Sequence, residues 1–169
     1  DDIIERSGAS KMARMAGPGE SDYTRYDRDI ADAAVKWIAD HASARAAKPW
    51  ALFVSFVAPH FPLTAPPEFY ALYPEAALPL PKLYGKAQRP AHPHLRFYAS
   101  NLDYDRHFED ESAVRRAIAG YLGLCSYLDH NVGRVLGALE EAQLLADTSV
   151  VYTSDHGDNL GARGVWGKS

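Results

Sequence analysis

The chain has 169 residues, close to the size of one ordinary domain. Hydrophobic residues make up 47% and charged residues 24%, which is typical of a globular protein rather than a disordered one. The net charge is −4 and the basic residues are scattered, so nucleic acid is not expected as the main partner. The longest apolar run, 50–58, is far shorter than the roughly 18 residues of a membrane span, so no membrane partner is expected either.

A single cysteine, Cys125, excludes a disulfide framework within the chain. One thiol fits a reducing compartment, and an exported protein without disulfides would have the same composition, so the compartment stays open. Cys125 lies on the apolar face of a predicted helix, and we interpret it as a packed small hydrophobe rather than a nucleophile.

The first part of the chain predicts a loop, a helix and a strand in that order. Residues 1–22 are polar and contain the breaker Gly17-Pro18-Gly19, which indicates a loop. Residues 25–47 repeat apolar side chains every three or four positions, which predicts a helix with Asp27 and other charged residues away from its buried face. Residues 50–58 are apolar almost throughout and rich in aromatic and β-branched side chains, so they predict a buried central strand.

The second part predicts a long loop, a long helix and another strand. Residues 59–110 hold nine of the 11 prolines, so we expect an irregular functional loop, with a short helix opening at Pro66-Pro67-Glu68. Residues 111–142 return to the apolar repeat, which predicts a long helix with Asp110 as its N-cap. Residues 148–154 predict a second short strand. This alternation predicts an α/β fold with a mostly parallel sheet flanked by helices.

Polar residues follow both predicted strands. His60 follows the first, and Asp155, His156 and Asp158 follow the second. Ligands bind beyond the carboxyl ends of parallel strands, so these groups are expected at one edge of the sheet. Asp155 and His156 supply an oxygen and a nitrogen that suit a divalent cation; the alternative is a capped turn in which Asp155 accepts backbone N–H groups. The Gly-rich segment after them closes on Lys168, a cation that suggests a phosphate or sulfate ester as the ligand.

Three separated segments resemble the type I sulfatases of the alkaline phosphatase superfamily. Residues 150–168 resemble the second metal-binding segment of that family, 53–62 its strand ending in an active-site histidine, and 121–139 the helix before its last metal strand. The Asp-His-Gly-Asp sequence closed by Trp-Gly-Lys is most similar to bacterial choline-sulfatase-like and phosphonate-monoester-hydrolase-like members. The resemblance covers about residues 23–169 and implies an alkaline-phosphatase-like α/β fold, present in part.

The resemblance implies roles for four residues. Asp155 and His156 would bind one divalent cation, which is Ca²⁺, Mg²⁺ or Mn²⁺ depending on the branch of the family. Lys168 would contact the oxygens of the sulfuryl or phosphoryl group, and His60 would bind the same group or protonate the leaving oxygen. The implied activity is the metal-dependent hydrolysis of a small-molecule sulfate ester.

The chain also departs from the family. Family members use a formylglycine nucleophile made from Cys or Ser in a Cys-x-Pro-x-Arg setting, and no such motif occurs here. The family's Asp-Asp pair after an N-terminal strand is missing too, since Asp1-Asp2 follows no strand. We therefore expect residues 1–169 to be the central part of one sulfatase-type catalytic domain, without its N-terminal nucleophile region and its C-terminal region. The formylglycine is expected in the full-length enzyme only, and this chain alone is expected to be inactive.

Two other functions stay open on the sequence. One is hydrolysis of a phosphonate monoester or a phosphodiester on the same scaffold, which contacts from the loop 61–110 would decide. The other is a non-catalytic metal-binding or interaction domain that kept the fold and lost the chemistry, because a missing nucleophile fits both truncation and decay. The sequence leaves the oligomeric state open.

Overall fold

In a computed structural model, residues 9–43 and 49–168 are described. Strands β1 (Ala16–Pro18) and β2 (Leu63–Ala65) pair in parallel, with Ala16 opposite Leu63 and Pro18 opposite Ala65. The α-helices of these residues are α1 (Ala9–Arg14), α2 (Asp22–Ser43), α3 (Pro67–Tyr70), α4 (Pro93–Leu102) and α5 (Glu111–Glu141). Short 3₁₀ helices lie at Glu75–Ala77, Lys86–Gln88, Tyr104–His107, Leu145–Asp147 and Ala162–Gly164.

The long helix α5 packs across both strands and against α2 and α3. Two glycines allow its close approach to β2. A Cβ atom on Gly120 would lie 2.0 Å from the carbonyl oxygen of Leu63, and one on Gly123 would lie 2.8 Å from the Cβ of Ala65. The glycines lower the intrinsic helix propensity of α5, and they allow tertiary packing on the sheet that compensates for this loss.

The predicted helices are confirmed, with small shifts at their ends. The predicted helix 111–142 is α5, and its N-cap is Asp110, whose Oδ1 accepts a hydrogen bond from the N–H of Ala113 at 2.8 Å. The helix predicted at 25–47 is α2, which begins at Asp22; residues 44–48 lie outside the described residues. The short helix predicted after Pro66 is α3. No helix in the described part of the chain is long and apolar enough to cross a membrane.

The prediction of strands at 50–58 and 148–154 is wrong in this structure. Neither segment forms a strand or pairs with one among the described residues. Phe53 and Val151 are 89% and 86% exposed, so the segments are not buried on both faces. An apolar, β-branched sequence favours burial, whereas a strand also needs a neighbouring backbone to satisfy its N–H and C=O groups.

Two predicted loops contain regular elements. The described part of the predicted loop 1–22 includes α1, β1 and the start of α2, and residues 1–8 lie outside the described residues. The predicted irregular region 59–110 includes β2 and α4. Pro93 is compatible with α4 because it occupies the first turn, where its missing N–H would have no partner within the helix.

The buried side chains form two clusters. The larger one joins β2, the first half of α5 and the C-terminal loop, and it contains Leu63, Val114, Leu124 and Trp166. The smaller one joins the end of α2 to the end of α5 around Ile38 and Leu139. The larger cluster positions the polar segment 155–168, because Trp166 is one of its members.

Candidate active site

Asp155 and His156 lie next to each other on an exposed turn. Their side chains are 84% and 39% exposed, and the Nε2 atom of His156 lies 3.4 Å from the Oδ2 atom of Asp155. The other carboxylate oxygen, Oδ1, accepts a hydrogen bond from the backbone N–H of His156 at 2.9 Å. The backbone hydrogen bond agrees with the capped-turn interpretation, and the metal-site interpretation stays a prediction, with Oδ2 facing the imidazole.

The hydrogen bond made by Nδ1, the other ring nitrogen, fixes the tautomer of His156. Its Nδ1 atom lies 2.8 Å from the carbonyl oxygen of Gly157, which can only accept, so Nδ1 carries a proton. In the neutral ring, Nε2 then presents a lone pair toward the carboxylate of Asp155. Two such acceptors at this distance repel each other unless a cation lies between them, either a proton or a metal ion.

His60 shows the same arrangement. Its Nδ1 atom lies 2.7 Å from the carbonyl oxygen of Phe61, so this nitrogen also donates and Nε2 is left for another partner. The ring stacks on Phe61 with centroids 4.4 Å apart and meets the edge of Tyr23 at 5.8 Å. The predicted strand before His60 is absent, and the histidine instead lies in an exposed turn between Pro59 and Pro62.

Asp27 holds this turn, although the sequence predicts it to lie away from the buried face of its helix. Asp27 is 0% exposed, and its two carboxylate oxygens accept the N–H groups of Val57 and Ala58, each at 2.8 Å. Desolvation by burial raises the pKa of Asp27, and the two backbone hydrogen bonds oppose that shift. Asp27 thus fixes the backbone just before His60. Its spacing of four residues from buried Ala31 is the sequence signal that could have identified it.

The segment that leads to Lys168 is closed by its own hydrogen bonds. Asp158 Oδ1 accepts the N–H groups of Leu160 at 2.7 Å and Gly167 at 3.0 Å. The carbonyl oxygen of Gly167 in turn accepts from the backbone N–H and the side-chain Nδ2 of Asn159. Asp158, which the sequence grouped with Asp155 and His156, therefore serves as an internal support of the loop.

An aromatic anchor precedes Lys168. Trp166 is 1% exposed and stacks on Phe108 with ring centroids 4.7 Å apart. Lys168 follows it on an exposed stretch of chain, and its carbonyl oxygen accepts a hydrogen bond from the Tyr98 hydroxyl at 3.1 Å. The backbone of the lysine is thus held at a fixed place, while its ammonium group forms no ion pair within residues 9–43 and 49–168.

Cys125 lies within α5 beside Tyr121. Burial raises the pKa of the Cys125 thiol, so the thiol remains protonated at neutral pH. Burial likewise raises the pKa of the Tyr121 phenol, to about 12. Both observations support the interpretation of Cys125 as a packing residue.

The four predicted site residues form one close pair and two separate positions. Asp155 and His156 are in contact, whereas neither His60 nor Lys168 is hydrogen-bonded or ion-paired to them in the described part of the chain. No group of three or more His, Cys, Asp or Glu side chains placed to hold a metal ion occurs among the described residues. The structure thus brings Asp155 and His156 into contact, and it leaves the binding roles of all four residues as predictions.

Comparison with known proteins places the chain in a family. The sulfatase family model matches residues 4–169, so the chain belongs to the sulfatase family. The choline-sulfatase of Rhizobium meliloti is 36% identical over 121 residues, which cover 72% of this chain and 24% of that protein. Human iduronate 2-sulfatase is 36% identical over 138 residues, which cover 72% of this chain and 24% of that protein. The chain therefore spans about a quarter of the length of these relatives.

The solved structure of a phosphonate monoester hydrolase from Silicibacter pomeroyi shares this fold. The two superpose with a TM-score of 0.60 at 30% sequence identity, over 79% of this chain and 28% of the other. A multifunctional alkaline phosphatase superfamily protein of Trinickia caryophylli is also 30% identical over 138 residues, 73% of this chain and 26% of that protein. The predicted fold class, a partial α/β fold of the alkaline phosphatase type, is confirmed, and in the described residues it is mostly helical with a small parallel sheet.

Proposed function

We propose that these 169 residues are the central part of one sulfatase-type catalytic domain, and that the full protein hydrolyses sulfate esters of small molecules. The match of the sulfatase family model along residues 4–169 carries this proposal. The choline-sulfatase and arylsulfatase relatives support a sulfuric ester as the substrate class. The residue types of Asp155, His156, His60 and Lys168 also support it, since they offer two cation ligands and two groups that can carry positive charge toward an anion.

Asp155 and His156 are proposed as two ligands of a divalent cation. The donor types fit, since a carboxylate oxygen and an imidazole nitrogen suit Ca²⁺, Mg²⁺ or Mn²⁺ to different degrees. The geometry fits as well, because Nδ1 of His156 is held by the carbonyl of Gly157 and Nε2 is directed toward Asp155 Oδ2, 3.4 Å away. When bound, the cation would polarise the ester and activate the nucleophile.

Lys168 and His60 are proposed to act on the ester itself. The ammonium group of Lys168 would contact the sulfuryl oxygens and neutralise the charge that develops on the leaving group, a form of electrostatic stabilisation. The imidazolium form of His60 can keep its Nδ1 proton on the Phe61 carbonyl and donate from Nε2 to the leaving oxygen. In the same scheme Asp27 is a positioning residue, because it holds the backbone immediately before His60.

The nucleophile is proposed to lie elsewhere in the protein. The formylglycine of the family has no counterpart motif in these 169 residues, and Cys125 is a protonated packing residue. Activity would therefore require the full form that the gene encodes. The 169-residue chain by itself should turn over no aryl sulfate, even with the metal supplied.

A second candidate reaction is the hydrolysis of phosphonate monoesters. The fold similarity to the phosphonate monoester hydrolase from Silicibacter pomeroyi favours it. Sulfate and phosphonate esters share tetrahedral oxygens, and the same lysine and histidine would bind either group. Relative kcat/KM values for an aryl sulfate and an aryl phosphonate monoester distinguish the two reactions, because specificity is a ratio of these constants.

The test is a kinetic comparison on the full form of the protein. We expect 4-nitrophenyl sulfate to be hydrolysed, and we expect Lys168→Ala and His60→Ala each to lower kcat/KM by roughly 10²-fold or more. The matched control Lys36→Ala, which changes an exposed lysine of α2, should retain activity. Absence of turnover of both esters would favour the non-catalytic alternative, and faster phosphonate turnover would favour the second reaction.

A further inference from the structure

A cationic cavity lies apart from the four candidate site residues. It has a volume of about 290 Å³, and its wall carries the side chains of Lys86, Arg89, Arg96 and Arg163. The cations come from three segments that are distant in sequence: the 3₁₀ helix Lys86–Gln88 with the residue after it, helix α4, and the turn Ala162–Gly164. Leu95 and Ala99 of α4 supply an apolar part of the lining.

The charges of this cavity are not balanced. Asp105 pairs with Arg89 through two hydrogen bonds of 2.8 Å and lies 3.7 Å from the ammonium group of Lys86. Arg96 and Arg163 form no ion pair with any carboxylate in the residues that the structure describes. Asp105 is thus ion-paired with two of the four cations, and Asp103 adds a weaker charge interaction with Arg89. The unpaired Arg96 and Arg163 leave surplus positive charge beside a concave space that fits a small anion.

The guanidinium group of Arg89 is fixed in place. Besides the two bonds to Asp105, its Nε and Nη2 atoms donate to the carbonyl oxygen of Tyr84 at 3.0 and 2.8 Å. These contacts use four of its five N–H groups and leave one Nη1 donor. Only 17% of the Arg89 side chain is exposed, so its orientation costs little further entropy when an anion binds.

Close packing joins Arg89 to the turn that carries Arg163. A Cβ atom on Gly164 would lie 2.2 Å from the Cζ atom of Arg89, so only glycine leaves room for the guanidinium group. The backbone N–H of Arg163 donates to the carbonyl oxygen of Lys82 at 2.9 Å, which ties the turn to the segment before Arg89. The cavity is therefore built by fixed backbone contacts rather than by the chance proximity of mobile side chains.

We propose that this cavity is a binding site for a tetrahedral oxyanion, a sulfate or phosphate group, either free or as an ester on a small organic framework. Arginine favours such groups because its planar fork presents paired donors to their oxygens. Arg96 and Arg163 supply the unpaired charge, the remaining donor of Arg89 adds a fixed hydrogen bond, and Leu95 with Ala99 would contact an organic part of the ligand. The site is independent of the proposed hydrolysis, since it shares none of His60, Asp155, His156 and Lys168.

The experiment is a calorimetric titration of the full form of the protein that the gene encodes. Sodium sulfate, sodium phosphate and methyl sulfate are titrated separately at constant ionic strength, with chloride as the non-tetrahedral comparison. The background is the Lys168→Gln variant, which removes the cation of the candidate active site. We expect sulfate or phosphate to bind the Lys168→Gln variant. Adding the substitutions Arg96→Gln and Arg163→Gln should weaken that binding at least about tenfold.

The controls separate a built site from general charge effects. Arg25→Gln removes an exposed arginine of α2 and should leave the affinity unchanged, and Arg96→Lys with Arg163→Lys should retain part of it. Stronger binding of methyl sulfate than of free sulfate would identify an ester as the natural form, and the reverse order would identify the free ion. Equal binding of chloride and sulfate, or undiminished sulfate binding by the folded glutamine variant, would overturn the proposal.

Discussion

The segments 158–168 and 149–154 are separated by three residues in the chain, but they are held in different ways. Asp158 and Gly167 close the first segment by hydrogen bonds, and the buried ring of Trp166 anchors it. The second segment is more apolar in sequence, yet Val151 is 86% exposed and no strand pairs with it among the described residues. A Gly-rich polar segment is thus better fixed than an apolar one, because it contains partners for its own backbone groups.

The same contrast applies to His60 and the segment before it. Residues 50–56 have no strand partner in the described part of the chain, whereas Asp27 accepts hydrogen bonds from the backbone N–H groups of Val57 and Ala58. A carboxylate on α2 therefore fixes the end of the segment, close to the histidine. Both halves of the candidate site depend on an internal aspartate, Asp27 for His60 and Asp158 for Lys168.

Trp166→Ala should give the largest effect. It removes a ring that is 1% exposed and stacked on Phe108, so we expect a loss of about 3–5 kcal/mol in the free energy of unfolding, measured by urea denaturation. The control Tyr152→Ala removes an aromatic ring that is 68% exposed and should have a much smaller effect. Equal losses in the two variants would show that the anchored and exposed segments do not differ as described.

Asp158→Ala should have the next largest effect. It leaves the N–H groups of Leu160 and Gly167 without their acceptor, which costs about 1–3 kcal/mol for a buried group. Asp147→Ala changes an exposed aspartate of the neighbouring 3₁₀ helix and serves as the control. Faster hydrogen exchange at Gly167 in the Asp158 variant alone would confirm that this carboxylate closes the loop, and unchanged exchange would contradict it.

Loss of the ion pair between Arg89 and Asp105 in acid should have a smaller effect on stability. The hydrogen bonds from Arg89 hold the pKa of Asp105 below its ordinary value of 3.8. A carboxyl whose pKa is lowered by folding adds stability above its unfolded pKa, and this contribution disappears as the pH falls through the folded pKa. We therefore expect Asp105→Asn to reduce the difference in melting temperature between pH 7 and pH 3. An unchanged difference would exclude this ion pair as a source of acid sensitivity.

Val151→Ser should have the smallest effect. Because the side chain is 86% exposed, we expect a change within about 0.5 kcal/mol in the free energy of unfolding of the 169-residue chain. A loss above about 1.5 kcal/mol, the scale of burying a valine side chain, would show that the segment is covered and would remove the contrast with the loop.

The helices were predictable from the sequence, and the strand partners were not. In α5 the apolar repeat and the Asp110 cap are local signals, so both the helix and its start agree with the structure. In 50–58 and 148–154 the apolar pattern reports a tendency to be buried, and it carries no information about which backbone lies alongside. The strands that do pair, β1 and β2, are three residues long and too short to produce a pattern.

The residue types of the candidate site were predictable from the sequence, but the aspartates that hold its backbone in place were not. Asp155 and His156 are adjacent in the chain, so their contact follows from local geometry. Asp27 lies 30 residues before Val57, and a buried aspartate that binds distant N–H groups resembles a solvated one in sequence. Asp158 is similar to a metal ligand by residue type and position, and only the structure shows that its Oδ1 atom accepts backbone N–H groups.

The assignment of Asp155 as a metal ligand is tested most directly by titrating the full form of the protein with Mn²⁺ in a calorimeter. The wild type, Asp155→Asn and the control Asp147→Asn are compared, since both substitutions remove one exposed carboxylate from the same region. We predict that Asp147→Asn binds Mn²⁺ as the wild type does, whereas Asp155→Asn binds at least about tenfold more weakly. Equal affinity of the wild type and Asp155→Asn would contradict the assignment of Asp155 as a metal ligand.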